Sequence, residues 1–241
     1  MLICEALFLL LTNTHGDRKA SNSRTYGFVA AAITDLVLHG RVDFSYEYDP
    51  RVRTIDPTLV GIPALDHVLV GLDMTRDRRL SFVIADLALD PEKIIAAQLA
   101  EQGLIDVKDH SFLWVSRAKY PERNPAPELQ LRQHLHTVLH GGTPAIPDVA
   151  LLTIIRGANA IGTALGAETA DMTRRQVKAR IEALEVPYDD RDDITRRVGP
   201  ALQHALAVMY ATIAAAMSIT TYPYDSPAER IRRTWPLWGR F

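Results

Sequence analysis

The chain is short of the residues that would announce a chemistry. It has one cysteine, Cys4, which excludes an internal disulfide framework and any zinc site built on cysteine alone. It has no charge excess of either sign: the formal net charge is −2, so bulk attraction to nucleic acid or to a membrane is excluded and any anion binding has to be local. No stretch approaches the about 20 apolar residues that span a bilayer. The opening run Met1 to Leu11 lacks a basic leader, carries Glu5, and runs into a polar loop without a small-residue cleavage site, so it reads as a first buried helix and not as a signal peptide. A cytosolic protein is expected. Phosphate-cradling glycine loops, a nucleophile elbow and a dinucleotide fingerprint are all missing. No pair of carboxylates stands out as an acid and base, so no catalytic residue and no cofactor are expected, and the protein reads as non-enzymatic.

What is present is apolar and helical. At 47% apolar residues the chain can bury a substantial core. Helices are expected over Tyr26 to His39, Pro63 to Leu72, Phe82 to Leu89, Glu92 to Gln102, Glu128 to His140, Val149 to Leu165, Thr173 to Leu184 and Ile194 to Ser218. Thr12 to Thr25 reads as a flexible loop. Val42, Phe44, Tyr46 and Tyr48 alternate with polar residues, a strand pattern, and Arg51 to Ile55 is its partner after the Asp49-Pro50 turn. Asp73 to Arg79 reads as a charged turn. With no internal repeat and no alternation of strand and helix, the pattern is mainly α: one helix-bundle domain over residues 1–219, carrying a projecting β-hairpin, then an irregular tail over 220–241 with prolines and tryptophans.

The stretch from Pro91 to Pro121 organises the rest. Asp90 and Pro91 suit the start of a helix, and Gly103 suits the left-handed residue that stops it. Two apolar pieces follow, Leu104-Ile105 with Val107 and Phe112 to Val115, on either side of a polar turn at Lys108-Asp109-His110, as in a hairpin. Its far arm ends in Arg117, Lys119 and Arg123, with Trp114 and Tyr120 interleaved. Such a basic and aromatic hairpin is suited to an anionic surface. Aromatic hairpins suit protein interfaces equally well, so a protein-binding scaffold or homo-oligomer anchored by Trp114 and Tyr120 stands as the alternative.

Three other chemistries are weaker. His136 and His140 share the spacing of zinc ligands on a helix, but Thr137 stands where a zinc protease has its glutamate, and surface histidines on an amphipathic helix account for the pattern. The acidic run Asp189, Asp190, Asp192 and Asp193 lacks the alternating ligands and glycine of a calcium loop. A helix followed by a hairpin is also how winged-helix modules look, but this helix offers Lys93 alone against Glu92 and Glu101, so nucleic acid is not an expected partner.

Four stretches, in order over most of the chain, carry a resemblance. They are Glu5-Ala6-Leu7-Phe8-Leu9-Leu10-Leu11, Asp35-Leu36-Val37-Leu38-His39-Gly40-Arg41-Val42, the passage Leu99 to Pro121 with Gly103-Leu104-Ile105 and Phe112-Leu113-Trp114-Val115, and Leu151-Leu152-Thr153-Ile154-Ile155-Arg156-Gly157-Ala158. Together they resemble the Golgi phosphoprotein 3 family. The resemblance implies a helical domain with a hairpin on one flat face, and a peripheral membrane adaptor that binds phosphatidylinositol 4-phosphate. The family's head-group positions fall at Ala20, Val29, Leu89 and Glu92, none of which matches the family's residue types. The expected head-group residues are therefore the basic ones nearby, Arg18, Lys19 and Arg24 in the loop and Arg117 and Lys119 on the hairpin. Phe112, Leu113, Trp114 and Tyr120 are the expected membrane or partner contacts. An anionic, phosphoinositide-like membrane lipid is the expected partner, met at the cytoplasmic face of a membrane.

Overall fold

The computed structural model describes residues 1–19, 23–45, 47–74, 77–110, 117–187 and 193–221, with the side chains of 109–110, 117, 193–200 and 217–221 left aside. The protein is mainly helical, as its apolar periodicity predicts. Helix α1 (Ile3–Leu10) is buried on every side, including Glu5. Glu5 tolerates this by accepting the Leu2 N–H at 2.9 Å and the Gln102 side-chain amide at 3.1 Å. Helix α2 (Arg24–Leu38) lies against it. Asp35 of α2 accepts the Ile3 and Cys4 N–H groups, both at 3.0 Å, so a buried carboxylate takes up two of the free donors at the start of α1.

Strands β1 (Val42–Phe44) and β2 (Arg51–Thr54) form the expected antiparallel pair, shorter than the alternation suggests. The expected charged turn after α3 (Pro63–Met74) contains a third strand instead: β3 (Arg78–Arg79) pairs with β2. The partner edge decides this, since Arg51 and Arg53 of β2 both reach Asp77, Arg51 at 3.4 Å and Arg53 at 3.3 Å. The next expected helix is split into α4 (Leu80–Ile84) and a 3-10 turn at Leu87–Leu89, where the Asp86 carboxylate accepts the Ala88 N–H.

Helix α5 (Glu92–Glu101) begins where Asp90 accepts the Glu92 N–H at 3.0 Å, and ends at Gly103, whose φ is +72°. The hairpin follows in a different register from the sequence reading. Lys108-Asp109-His110 is strand β4 and not the turn; it pairs with β5 (Arg117–Lys119), Lys108 opposite Lys119 and His110 opposite Arg117. No glycine or proline breaks the chain at 108–110, so the strand runs through it.

The second half closes the core. Helix α6 (Ala126–Leu139) leads to α7 (Ile146–Gly157), which starts with Asp148 accepting the Ala145 N–H at 2.7 Å. The long helix expected over Val149 to Leu165 is broken: Asn159 takes a left-handed φ of +52° and a short α8 (Ile161–Ala164) follows. Gly157 ends α7 against α10 (Asp193–Thr221), so close that an added Cβ would sit 3.3 Å from the Tyr210 backbone. Between them α9 (Arg174–Glu182) starts with a reciprocal cap between Thr173 and Gln176. The expected boundary of the tail at 220 falls inside α10, and the rest of the tail lies outside the described residues.

Candidate functional site: the hairpin root and its neighbouring cavity

The described part of the segment after α1, residues 11–19, is tied down, against the expectation of a flexible loop. Thr12 bridges to Arg18, and the Lys19 N–H donates to the Leu11 carbonyl at 2.8 Å. This fold-back brings Gly16 against the far end of β5, where the Tyr120 N–H donates to the Gly16 carbonyl at 3.1 Å. The hairpin is therefore rooted in the same segment that carries Arg18 and Lys19.

Tyr120 is not an exposed anchor. It is 3% exposed, with its ring edge-on to Phe8 at 5.2 Å and its hydroxyl accepting a hydrogen bond from Arg18 Nη2 at 3.0 Å. An aromatic at the hairpin's root, next to Pro121, has an apolar neighbour for the ring and a donor for the hydroxyl, and buries both. Phe112, Leu113 and Trp114 lie outside the described residues.

Arg24 corrects the expected exposed basic set. Its side chain is 1% exposed, stacked over Phe8 and Phe28 with centroid distances of 5.6 and 5.1 Å. It donates to the Leu11 carbonyl, to the Lys19 carbonyl at 3.2 Å and to Glu92 Oε1 at 3.2 Å. Burial pulls the guanidinium below its ordinary pKa, against the pull of the Glu92 carboxylate. Arg18, with 35% of its side chain exposed, reaches the same Glu92 Oε1 at 3.3 Å.

These groups line one cavity of about 430 Å³, with Arg18, Arg24, Thr25, Leu87, Asp90, Glu92 and Lys93 in its wall. Thr25 donates to Asp90 at 2.8 Å and closes one side. Lys19 is separate. It donates to the Thr163 carbonyl at 3.3 Å and lines a neighbouring cavity with Glu122, Glu128 and Arg132.

The hairpin itself presents a basic face. Ala118 packs against the core and Tyr120 is buried, so the alternate positions 117 and 119 belong to the opposite, outer side. The register puts 108 and 110 on that side as well, facing 119 and 117. Lys108 and Lys119 thus share one face of the ribbon, and 110 and 117 are the next facing positions in the register. Lys119 is held by Asp17 at 3.0 Å, while Lys108 has no ion-pair partner among the described residues. Two lysines directly opposite one another cost stability. Sequence reasoning missed Lys108 and His110 by placing the turn on them; the signal was a basic residue at every second position in both arms.

The histidines of α6 have other duties. His136 and His140 stack with centroids 4.0 Å apart, His140 Nε2 meets Asp171 at 2.9 Å, and His134 meets Asp148 at 2.9 Å. Among the described residues no three His, Cys, Asp or Glu side chains gather as a metal site, and no helix is long and apolar enough to cross a membrane.

Compared with known proteins, residues 3–209 match the family model of Golgi phosphoprotein 3 (GPP34). The chain belongs to the Golgi phosphoprotein 3 (GPP34) family. No curated protein matches the chain. Of the positions aligned with the family's head-group residues, Val29 is fully buried and Leu89 is 4% exposed with its side chain against Gly71, so both serve the core. Ala20 lies outside the described residues. Glu92 does line the cavity, and in this Golgi phosphoprotein 3 member it brings a negative charge to it.

Proposed function

We propose that the protein is a peripheral, non-enzymatic binding protein of the adaptor type, which engages the anionic head groups of a membrane surface through the outer face of β4–β5. The observation that carries this reading is the register, which sets Lys108 opposite Lys119 and position 110 opposite position 117, basic residue types in both arms with a like-charge pair among them. A tolerated repulsion of that kind is relieved when an anion lies across it. Each lysine or arginine near an anionic bilayer contributes about 1 kcal/mol, so Lys108 supplies roughly fivefold in partitioning, and Lys119, already paired with Asp17, adds less. Half-exposed Val107 and the apolar sequence Phe112 to Val115 between the strands add interfacial contact of the kind that peripheral proteins use. The family supports the adaptor reading, and phosphatidylinositol 4-phosphate is the head group to try first.

Co-sedimentation with neutral, generally anionic and phosphatidylinositol 4-phosphate vesicles, at low and high salt, tests it. Pelleting with anionic vesicles that weakens with salt, and that a Lys108→Ala/Arg117→Ala/Lys119→Ala variant loses, is expected. Equal pelleting of that variant, or none by the native protein, would sink the reading. Salt-resistant self-association would favour the scaffold instead.

A further inference from the structure

The cavity between α2 and α5 has the donors of an anion site but is already filled in charge by the chain itself. Two guanidiniums converge on one oxygen, Glu92 Oε1: Arg24 Nε at 3.2 Å and Nη2 at 3.1 Å, and Arg18 Nε at 3.3 Å. Arg24 cannot swing out to solvent, because its aromatic stack and two backbone carbonyls fix it in place. A fully buried guanidinium aimed into a hollow of about 430 Å³ demands a counter-ion there. The carboxylate supplies one, 68 residues away in sequence.

We infer that Glu92 is a built-in anion that determines the specificity of this cavity: it occupies the place a phosphate monoester or carboxylate would take on Arg18 and Arg24, and excludes both. The remaining wall sharpens the exclusion. Asp90 adds a second carboxylate, and among the described residues the exposed Lys93 is the only other cation lining the cavity. An entering phosphate would have to displace Glu92 and leave that carboxylate facing Asp90 without its partner, a loss that outweighs the new contact. This is a statement about where anions do not bind. It is independent of the hairpin reading, since vesicle binding can fail while the cavity behaves as described.

The test is replacement of Glu92 with a readout of inorganic phosphate binding. The probes are phosphate and, at equal ionic strength, chloride, followed by thermal unfolding and by titration calorimetry. Native protein is expected to show no phosphate-specific shift. Glu92→Ala is expected to gain phosphate affinity by roughly tenfold or more over the native protein, from two charge-assisted hydrogen-bonding groups set free. The gain should shrink severalfold in Arg18→Ala/Glu92→Ala, which keeps only Arg24, and that dependence places it in this cavity and not on the hairpin. If Glu92→Ala fails to fold in chloride, refolding in phosphate supports the inference, and Glu92→Gln, which keeps an oxygen for Arg24, provides the folded comparison. Two results overturn it: a native protein that takes phosphate as tightly as the variants, or Glu92→Ala and Glu92→Gln that both gain nothing over chloride.

Discussion

Gly16 and Tyr120 meet backbone to backbone: the Tyr120 N–H donates to the Gly16 carbonyl at 3.1 Å, and a Cβ on residue 16 would lie 2.4 Å from the Tyr120 nitrogen. Gly16 also has a φ of +82°. Gly16→Ala therefore meets both a strained backbone and a wall of peptide atoms that cannot give way. A loss of about 2 kcal/mol or more is expected in urea unfolding. Gly103→Ala is the control, since its φ is +72° with nothing within 4 Å of an added Cβ. It should lose only about 1 kcal/mol, and equal losses would refute the close approach.

Tyr120 itself holds the root by ring and by hydroxyl. Tyr120→Phe keeps the edge-on contact with Phe8 and gives up the hydrogen bond from Arg18, which is exposed enough to be rehydrated. About 1 kcal/mol should be lost. Tyr120→Ala removes the ring as well and should cost about 3–5 kcal/mol. Similar values for the two would mean that the ring packing contributes little.

Asp35 makes stability fall as pH rises. Burial pushes its carboxyl up to about 6 from the ordinary 3.8, against the pull of the Ile3 and Cys4 N–H groups. Between those two values the folded protein holds a proton that the unfolded chain has released, so folding weakens as pH rises from about 4 to about 6 and the full penalty stands above 6. The span corresponds to about 3 kcal/mol. The lowered carboxyls of Asp17, Asp56, Asp86 and Asp171 slope the other way, so the informative quantity is a difference. Asp35→Asn should lack the falling limb in denaturant unfolding across pH 4 to 7. Parallel profiles for the variant and the native protein would contradict the assignment.

The order of helices was legible because the apolar faces repeat with helical period and the stops after α2, α5 and α6 carry glycine. What escaped the sequence depended on partners far along the chain. Lys108-Asp109-His110 is polar enough to be a turn, and only pairing with Arg117 to Lys119 makes it a strand. Arg24 reads as one more basic residue of a polar loop. Its burial follows from Phe8, Phe28 and Glu92 converging on it, which no local pattern shows. Membership of the Golgi phosphoprotein 3 family was readable in the spacing of four stretches, and the match over residues 3–209 agrees with them.

Lys108 offers a trade between folding and binding. Lys108→Thr removes the like-charge pair with Lys119 and places a good strand former on β4, so unfolding should become harder by about 0.2–1 kcal/mol. The same change should cost about fivefold in partitioning onto anionic vesicles. A variant that is more stable and binds as well as the native protein would show that the outer face is not the one that meets lipid.

The break at Asn159 sets the length of the rod that lies on α10. Uninterrupted, the segment from Ile146 to Leu165 would be a single rod of 20 residues, about 30 Å long, with Asp148 and Arg156 among its apolar positions. Ending α7 at Gly157 leaves a rod of 12 residues, about 18 Å long against the roughly 30 Å of a hydrocarbon layer. The left-handed residue thus limits α7 to the length that packs against α10 and turns the chain into α8.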